Sequence, residues 1–191
     1  MVGNIPNFTK IDILRCFLKL GKSTGRKDLA HELGLGEGTV RTILNVLKSK
    51  KLLDSTKKGH FLSKKGNEML NYILEFISIP KSISINNIYP EFKKVGIVAK
   101  GISNLKGLYK LRDTAVKNGA EGAMILRYHG KLYTLESEIE HDFKELENSL
   151  ELHNNDVVVI AFSNDSRHSE IGALAITAEL NDSLKKFINE M

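Results

Sequence analysis

Leu33-Gly34-Leu35-Gly36-Glu37-Gly38-Thr39-Val40-Arg41-Thr42-Ile43-Leu44 sets a glycine-bracketed turn directly before apolar residues at helical spacing. Gly34-Leu35-Gly36 predicts a tight turn, because glycine tolerates positive φ and can stop one helix before another begins. From about Glu37 to Ser49, Val40, Ile43, Leu44 and Leu47 fall at i, i+3, i+4 and i+7, one continuous apolar helical stripe. The opposite face carries Gly38, Thr42, Asn45 and Ser49, flanked by Arg41 and Lys48. That face is short-chained, hydrogen-bonding and basic at its edges.

Upstream, a first helix is expected from about Thr9 to Leu20, with Asp12, Arg15 and Lys19 as a narrow polar stripe opposite Ile11, Leu14, Phe17 and Leu18. Cys16 lies among apolar neighbours and reads as a small core residue. Gly21-Lys22-Ser23-Thr24-Gly25 breaks the pattern, and a short helix from about Arg26 to Leu33 buries Leu29, Ala30 and Leu33. Downstream, two short apolar runs around Ser55-Thr56-Lys57-Lys58-Gly59 predict a β-hairpin with a basic tip, His60 following it. A fourth helix, about Lys64 to Ile77, has a core stripe of Leu70, Ile73, Leu74 and Ile77. Met69, Tyr72 and Phe76 form a second stripe, the expected contact of a homodimer.

The charge is uneven along the 191 residues. Residues 1–80 hold 14 Lys+Arg against 7 Asp+Glu, a net of +7, and residues 81–191 hold 14 against 16, a net of −2. A basic half joined to a slightly acidic one suggests that the first half meets a polyanion. With 41% hydrophobic and 27% charged residues, a packed core is expected. The single cysteine excludes an internal disulfide and a cysteine-rich zinc site. No apolar run approaches the ~20 residues of a membrane-spanning helix, and Met1-Val2-Gly3-Asn4-Ile5-Pro6 does not read as a signal peptide. No membrane partner and a cytoplasmic location are the expectation.

The order helix, helix, turn, helix, hairpin, helix over residues 9–78 resembles the winged helix-turn-helix of bacterial and archaeal transcription regulators. The resemblance rests on the Leu33–Leu44 stretch and on Phe61-Leu62-Ser63-Lys64-Lys65-Gly66, which looks like the segment leaving the wing in such proteins. The whole chain is also similar to an archaeal group of winged-helix proteins with a C-terminal domain of unknown function. Position 36 departs from the pattern, being glycine where many relatives carry Ser or Thr; glycine caps a helix but brings no hydroxyl. The resemblance implies sequence-specific binding of double-stranded DNA, with the third helix in the major groove. Arg41 would pair with guanine and Asn45 with adenine, with Thr39 and Thr42 as adaptable contacts and Lys48 at the edge of the face. Arg26 and Lys27 would meet phosphates, and Lys57, Lys58 and His60 would place the wing on a flanking groove.

Pro80 to Pro90, with its Ser/Ile/Asn mixture, reads as the linker, so the expected domains are residues 1–80, a linker 81–90, and residues 91–191. Beyond it, strands are expected at Val95–Ala99, Ala123–Tyr128, Lys131–Leu135 and Val157–Phe162. Helices are expected at Leu105–Asn118, around Ile139, Phe143, Leu146 and Leu150, at Ser169–Leu180, and at Ser183–Ile188 capped by Asp182. The order β-α-β-β-α-β with extra helices predicts a ferredoxin-like domain, hence an α+β chain. Small ligand-sensing domains often take that arrangement. No Walker loop, G-x-S-x-G, H-E-x-x-H or metal spacing appears, His129, His141, His153 and His168 are scattered, and neither an enzyme nor a cofactor is expected. Asn164, Ser166, Arg167 and Ser169 leave the last strand for a helix and form a candidate seat for a small anionic effector. The alternative for this domain is a ligand-free module for assembly or partner binding.

Overall fold

Thr9 begins the fold by capping its first helix. The computed structural model describes residues 8–85, 88–135 and 142–191; Ile139, His141 and the Met1–Pro6 stretch, which carry expectations, lie outside them. Two compact units result, one of the described residues up to Ile73 with Lys186–Met191, the other of Leu74–Lys185. In α1 (Lys10–Lys19) the Thr9 side chain accepts the Asp12 N–H, and the Asp12 carboxylate accepts the Thr9 N–H at 3.0 Å, a reciprocal cap. The expected polar stripe does not face solvent: Asp12 is 0% and Arg15 1% exposed. Arg15 Nη1 donates to Asp12 Oδ1 at 2.8 Å and to the Leu33 carbonyl at 3.1 Å. Leu33 ends α2 (Arg26–Leu33), where the last carbonyls lack intrahelical partners. The stripe is therefore a seam between two helices. Beside it Cys16 is 0% exposed, and burial pushes its thiol up to about 12 against the pull of Arg15 and Lys19.

Gly34 takes a left-handed φ of 64° and turns the chain into α3 (Glu37–Ser49), which buries Val40, Ile43, Leu44 and Leu47. Strands β1 (Leu53–Thr56) and β2 (Gly59–Leu62) pair antiparallel around Lys57-Lys58, with Leu53 opposite Leu62. Thr24 adds a third edge, exchanging two 2.9 Å backbone hydrogen bonds with His60. The Ser63–Gly66 segment has a geometric cause. The Ser63 hydroxyl donates to the Lys51 carbonyl at 2.7 Å and accepts the Gly66 N–H at 3.0 Å. A Cβ on Gly66 would stand 2.1 Å from the Leu52 carbonyl oxygen, so only glycine fits.

Helix α4 (Lys64–Leu74) stops short of the expected Ile77. The Lys100 ammonium takes the Leu74 carbonyl at 2.7 Å, the Phe76 carbonyl accepts the Lys100 N–H at 2.8 Å, and Ile77 bridges Ala99. The backbone leaves the helix because a strand offers it partners. At the other end of the sequence, α8 (Asp182–Glu190) is capped by Asn181, whose Oδ1 accepts the Leu184 N–H at 2.9 Å, rather than by Asp182. Its later residues complete the first unit, where the Phe187 ring lies 5.4 Å from that of Phe17.

The second unit contains residues expected as linker. Strand β3 (Lys81–Ser82) pairs antiparallel with β4 (Lys93–Ala99), Lys81 opposite Gly96. Ile85 and Ile88 are buried in one core with Val98, Leu126, Leu132, Phe143, Leu146, Val158 and Ile160. Ile85 and Ile88 supply apolar area to that core, while Ser82 and Ser84 remain exposed. After β4 come α5 (Leu108–Lys117), β5 (Gly122–Tyr128), β6 (Leu132–Thr134), α6 (Lys144–Ser149), β7 (Val157–Ser163) and α7 (Ser166–Glu179). The sheet order is β3-β4-β7-β5-β6, every neighbouring pair antiparallel.

This corrects the ferredoxin-like expectation. The chain order β-α-β-β-α-β is present, but a ferredoxin-like sheet inserts the third strand between the first and second, and here the fourth, β7, takes that place. All seven β7 residues are buried, whereas β6 has three residues and two are half-buried. An unbroken apolar strand needs cover on both faces and so takes the centre. Val158 and Ile160 face the core just named. On the other side lies α7, where a Cβ on Gly172 would come 3.3 Å from the Ala161 Cβ and 2.8 Å from the Ala120 Cβ. Helix α7 is buried from Ser169 to Ala178, apolar around most of its circumference.

Removing one partner of a buried ion pair strands the other charge and typically costs about 3–5 kcal/mol. Asp12→Ala should therefore lower stability by about that much in urea unfolding, and Asp12→Leu/Arg15→Met by clearly less. Equal losses would show that Arg15 is not held as described.

Candidate nucleic-acid interface

The exposed side of α3 is built by exclusion. Four apolar residues take the inner face, which leaves Arg41, Thr42, Asn45, Lys48 and Ser49 exposed and Thr39 half-buried. The Thr42 hydroxyl donates to the Gly38 carbonyl at 3.2 Å, which fixes its rotor and leaves its lone pairs outward. Arg26, at the start of α2, places Nε and Nη2 both 3.2 Å from Glu37 Oε2 at the start of α3. The next residue, Lys27, is exposed. Lys57 and Lys58 occupy the exposed hairpin turn, where the Lys58 N–H donates to Thr56 Oγ1 at 3.2 Å.

His60 ties these pieces together. Its Nδ1 is 2.8 Å from Ser55 Oγ, and its pKa is lowered, first by burial and then by the positive charges of Arg26 and Lys48. The charges of Arg26 on α2 and Lys48 on α3 thus both act on the His60 imidazole of β2. The fold brings Arg26, Lys48 and His60 together; Lys57 and Lys58 stand farther along the same hairpin. Glu37, Thr24 and Ser55 were not legible as participants. Glu37 follows Arg26 by 11 positions on another helix, a spacing with no local signal.

The loop after β7 is arranged differently from expectation. Helix α7 begins at Ser166, not Ser169, and its cap is Asp165, whose Oδ1 accepts the His168 N–H at 2.8 Å. Asp165 Oδ2 lies 2.6 Å from His168 Nδ1. Burial alone would raise the pKa of Asp165, but the His168 N–H and imidazole and the Arg167 N–H hold it below the ordinary carboxylate range. Ser169 is 0% exposed and gives its hydroxyl to the Lys93 and Asp165 carbonyls. Asn164 Nδ2 donates to Glu121 Oε1 at 3.2 Å, Ser166 is exposed and Arg167 half-buried. The helix start that was to receive an anion already holds the chain's own carboxylate.

Of the expected dimer contacts, Met69 is half-buried and Tyr72 44% exposed on α4, while Phe76 is half-buried beyond the helix end. Among the described residues no group of three or more His, Cys, Asp or Glu is placed to hold a metal ion. Nor is any of their helices long and apolar enough to cross a membrane.

No curated protein sequence matches the chain. Residues 10–68 match the family described as PH0730-like, N-terminal domain, and residues 90–180 match a domain of unknown function, DUF4443. Among solved structures, the hypothetical protein PH0730 from Pyrococcus horikoshii OT3 is 27% identical, with a TM-score of 0.80 over 96% of this chain and 99% of that one. The chain is thus similar to the PH0730-like N-terminal domain over residues 10–68, to DUF4443 over residues 90–180, and along nearly its whole length to that archaeal protein.

Proposed function

We propose that the first unit is a winged helix-turn-helix that binds double-stranded DNA sequence-specifically, and that the chain regulates transcription from the cytoplasm. The open polar face of α3, with Arg26 held at its start by Glu37 and exposed Lys57 and Lys58 in the hairpin turn, carries the reading. In it, α3 enters the major groove, where Arg41 forks onto a guanine and Asn45 pairs with an adenine. Thr39 and Thr42 serve as adaptable contacts, Arg26 and Lys27 meet phosphates, and the hairpin lays Lys57 and Lys58 along a flanking groove. Arg26 must exchange the Glu37 carboxylate for a phosphate, so the free protein already presents the anionic partner that DNA replaces.

The second unit has two readings. A small anionic effector at Asn164, Ser166, Arg167 and Ser169 would make it a sensor. Capping of α7 by Asp165 puts a like charge where that anion would sit and favours the alternative, an assembly module through which two copies join. Dimerisation would set two recognition helices on half-sites about one helical turn apart and multiply a modest affinity. Met69, Tyr72 and Phe76, around α4, are the proposed homodimer contacts under either reading of the second unit.

A protein neutralising ~6 phosphates loses roughly a thousandfold in affinity between 50 and 200 mM salt. Competition binding against random duplex should show that slope. Arg41→Ala should cost about 1–3 kcal/mol and relax sequence preference, while Lys57→Ala weakens all sequences alike and flattens the slope. Absence of duplex binding at low salt would remove the reading.

His60 supplies a pH dependence with a definite sign. Its lowered pKa keeps it neutral in the free protein near neutral pH, and a nearby phosphate favours the protonated form. Binding should therefore take up a proton, and affinity should rise as pH falls through and below the ordinary histidine range. His60→Gln should lose that rise; an unchanged pH profile would separate His60 from the interface. Sedimentation equilibrium at micromolar concentration should give twice the 21.4 kDa chain mass. Stabilisation by anionic metabolites, with the effect lost in Arg167→Ala, would support the sensor, and its absence the assembly module.

A further inference from the structure

Gly34 is required by its left-handed φ and Gly66 by the Leu52 carbonyl, but among the described residues nothing requires Gly38. It stands inside α3 with an ordinary helical backbone, and a Cβ built on it meets no atom within 4 Å. Alanine is the better helix former at such a position, so glycine here weakens the helix and no internal contact offsets the loss. Gly36, two residues earlier, is likewise open around its missing Cβ and has an ordinary φ of −67°.

Where Gly38 lies suggests what uses the space. It is the first residue of the exposed stripe that continues through Thr42, Asn45 and Ser49, with Arg41 alongside. The Glu37 carboxylate between the two glycines is held by Arg26 rather than left free to repel an anion. The stripe is flanked by cations, which selects a polyanion over an apolar or basic partner.

We propose that Gly38 is the point of closest approach between the α3 backbone and the phosphodiester chain of a DNA duplex, where a single methyl group would hold the duplex off. This rests on the duplex-binding reading and assigns to that interface a residue that touches by having no side chain. Hydrogen bonds from the α3 start, Arg26 and Lys27 to phosphate oxygens tolerate only a few tenths of an ångström of displacement, so stand-off at Gly38 weakens them together.

The test uses the full chain as wild type, Gly38→Ala and Gly21→Ala, each titrated onto one labelled random-sequence duplex at low salt and each melted without DNA. Gly21 is also exposed with open space at its Cβ, but lies in the loop before α2, and controls for the added methyl. Gly38→Ala should melt ~2–4 °C higher than wild type and bind at least tenfold more weakly, while Gly21→Ala binds as wild type does. If wild type binds and Gly38→Ala binds within twofold of it, this inference falls and the duplex reading stands. If Gly38→Ala melts lower than wild type, the fold itself demands the glycine and the inference also falls. If wild type does not bind, both fall together.

Discussion

A guanidinium with almost no access to water holds the first unit in register. Arg15 joins the capping carboxylate of its own helix to the last carbonyl of α2, one residue before the glycine that turns the chain into α3. The pitch between α2 and α3 therefore depends on where α1 places one side chain. A charge buried this deeply adds little net stability once desolvation is subtracted, and its value lies in fixing one arrangement over near alternatives. The convergence of Arg26, Lys48 and His60 follows from that arrangement, because they come from α2, α3 and the hairpin that pairs with Thr24.

Much of this unit was legible because its signals are local. The apolar stripe of α3, the Gly34 turn and the Ser63–Gly66 exit each arise within a few residues and survive unchanged in the structure. Asp12 and Arg15 were misread because helical periodicity separates polar faces from apolar ones but cannot tell solvent from the end of another helix. Residues 81–85 were misread for a related reason. Pro, Ser and Asn suggested a connection, yet alternate isoleucines suffice to cover a sheet whose existence depends on strands far along the chain. The end of α4 was overshot because its competitor, the edge of β4, is equally remote.

Strand order is the least local property. The unbroken apolar run Val157–Phe162 is the local signal for a strand buried throughout, and β7 lies at the centre of the sheet. The ferredoxin-like expectation had instead taken its order from connectivity, which several sheets share. The loop after β7 shows the same contrast at a smaller scale. Asn164, Ser166 and Arg167 have the composition of an anion seat, but a cap is chosen by geometry, and Asp165 reaches the free N–H groups first. Composition marks what a loop can bind; the helix it precedes decides whether the place is vacant.

The contact between Phe17 and Phe187 binds the timing of synthesis to the fold. A chain emerging residue by residue presents α1, α2, α3 and the hairpin early, with the ring of Phe17 lacking its neighbour. The whole second unit must be made before residue 187 appears, so the first unit passes through a long interval with an incomplete core. Domains commonly fold in the order they are made; here the first to emerge is the last to be finished. The loop that the contact closes spans nearly the entire polypeptide, the kind of non-local closure that slows folding. The core of the first unit is therefore finished only after residue 187 is made, and products truncated before it would carry α3 on an unfinished support.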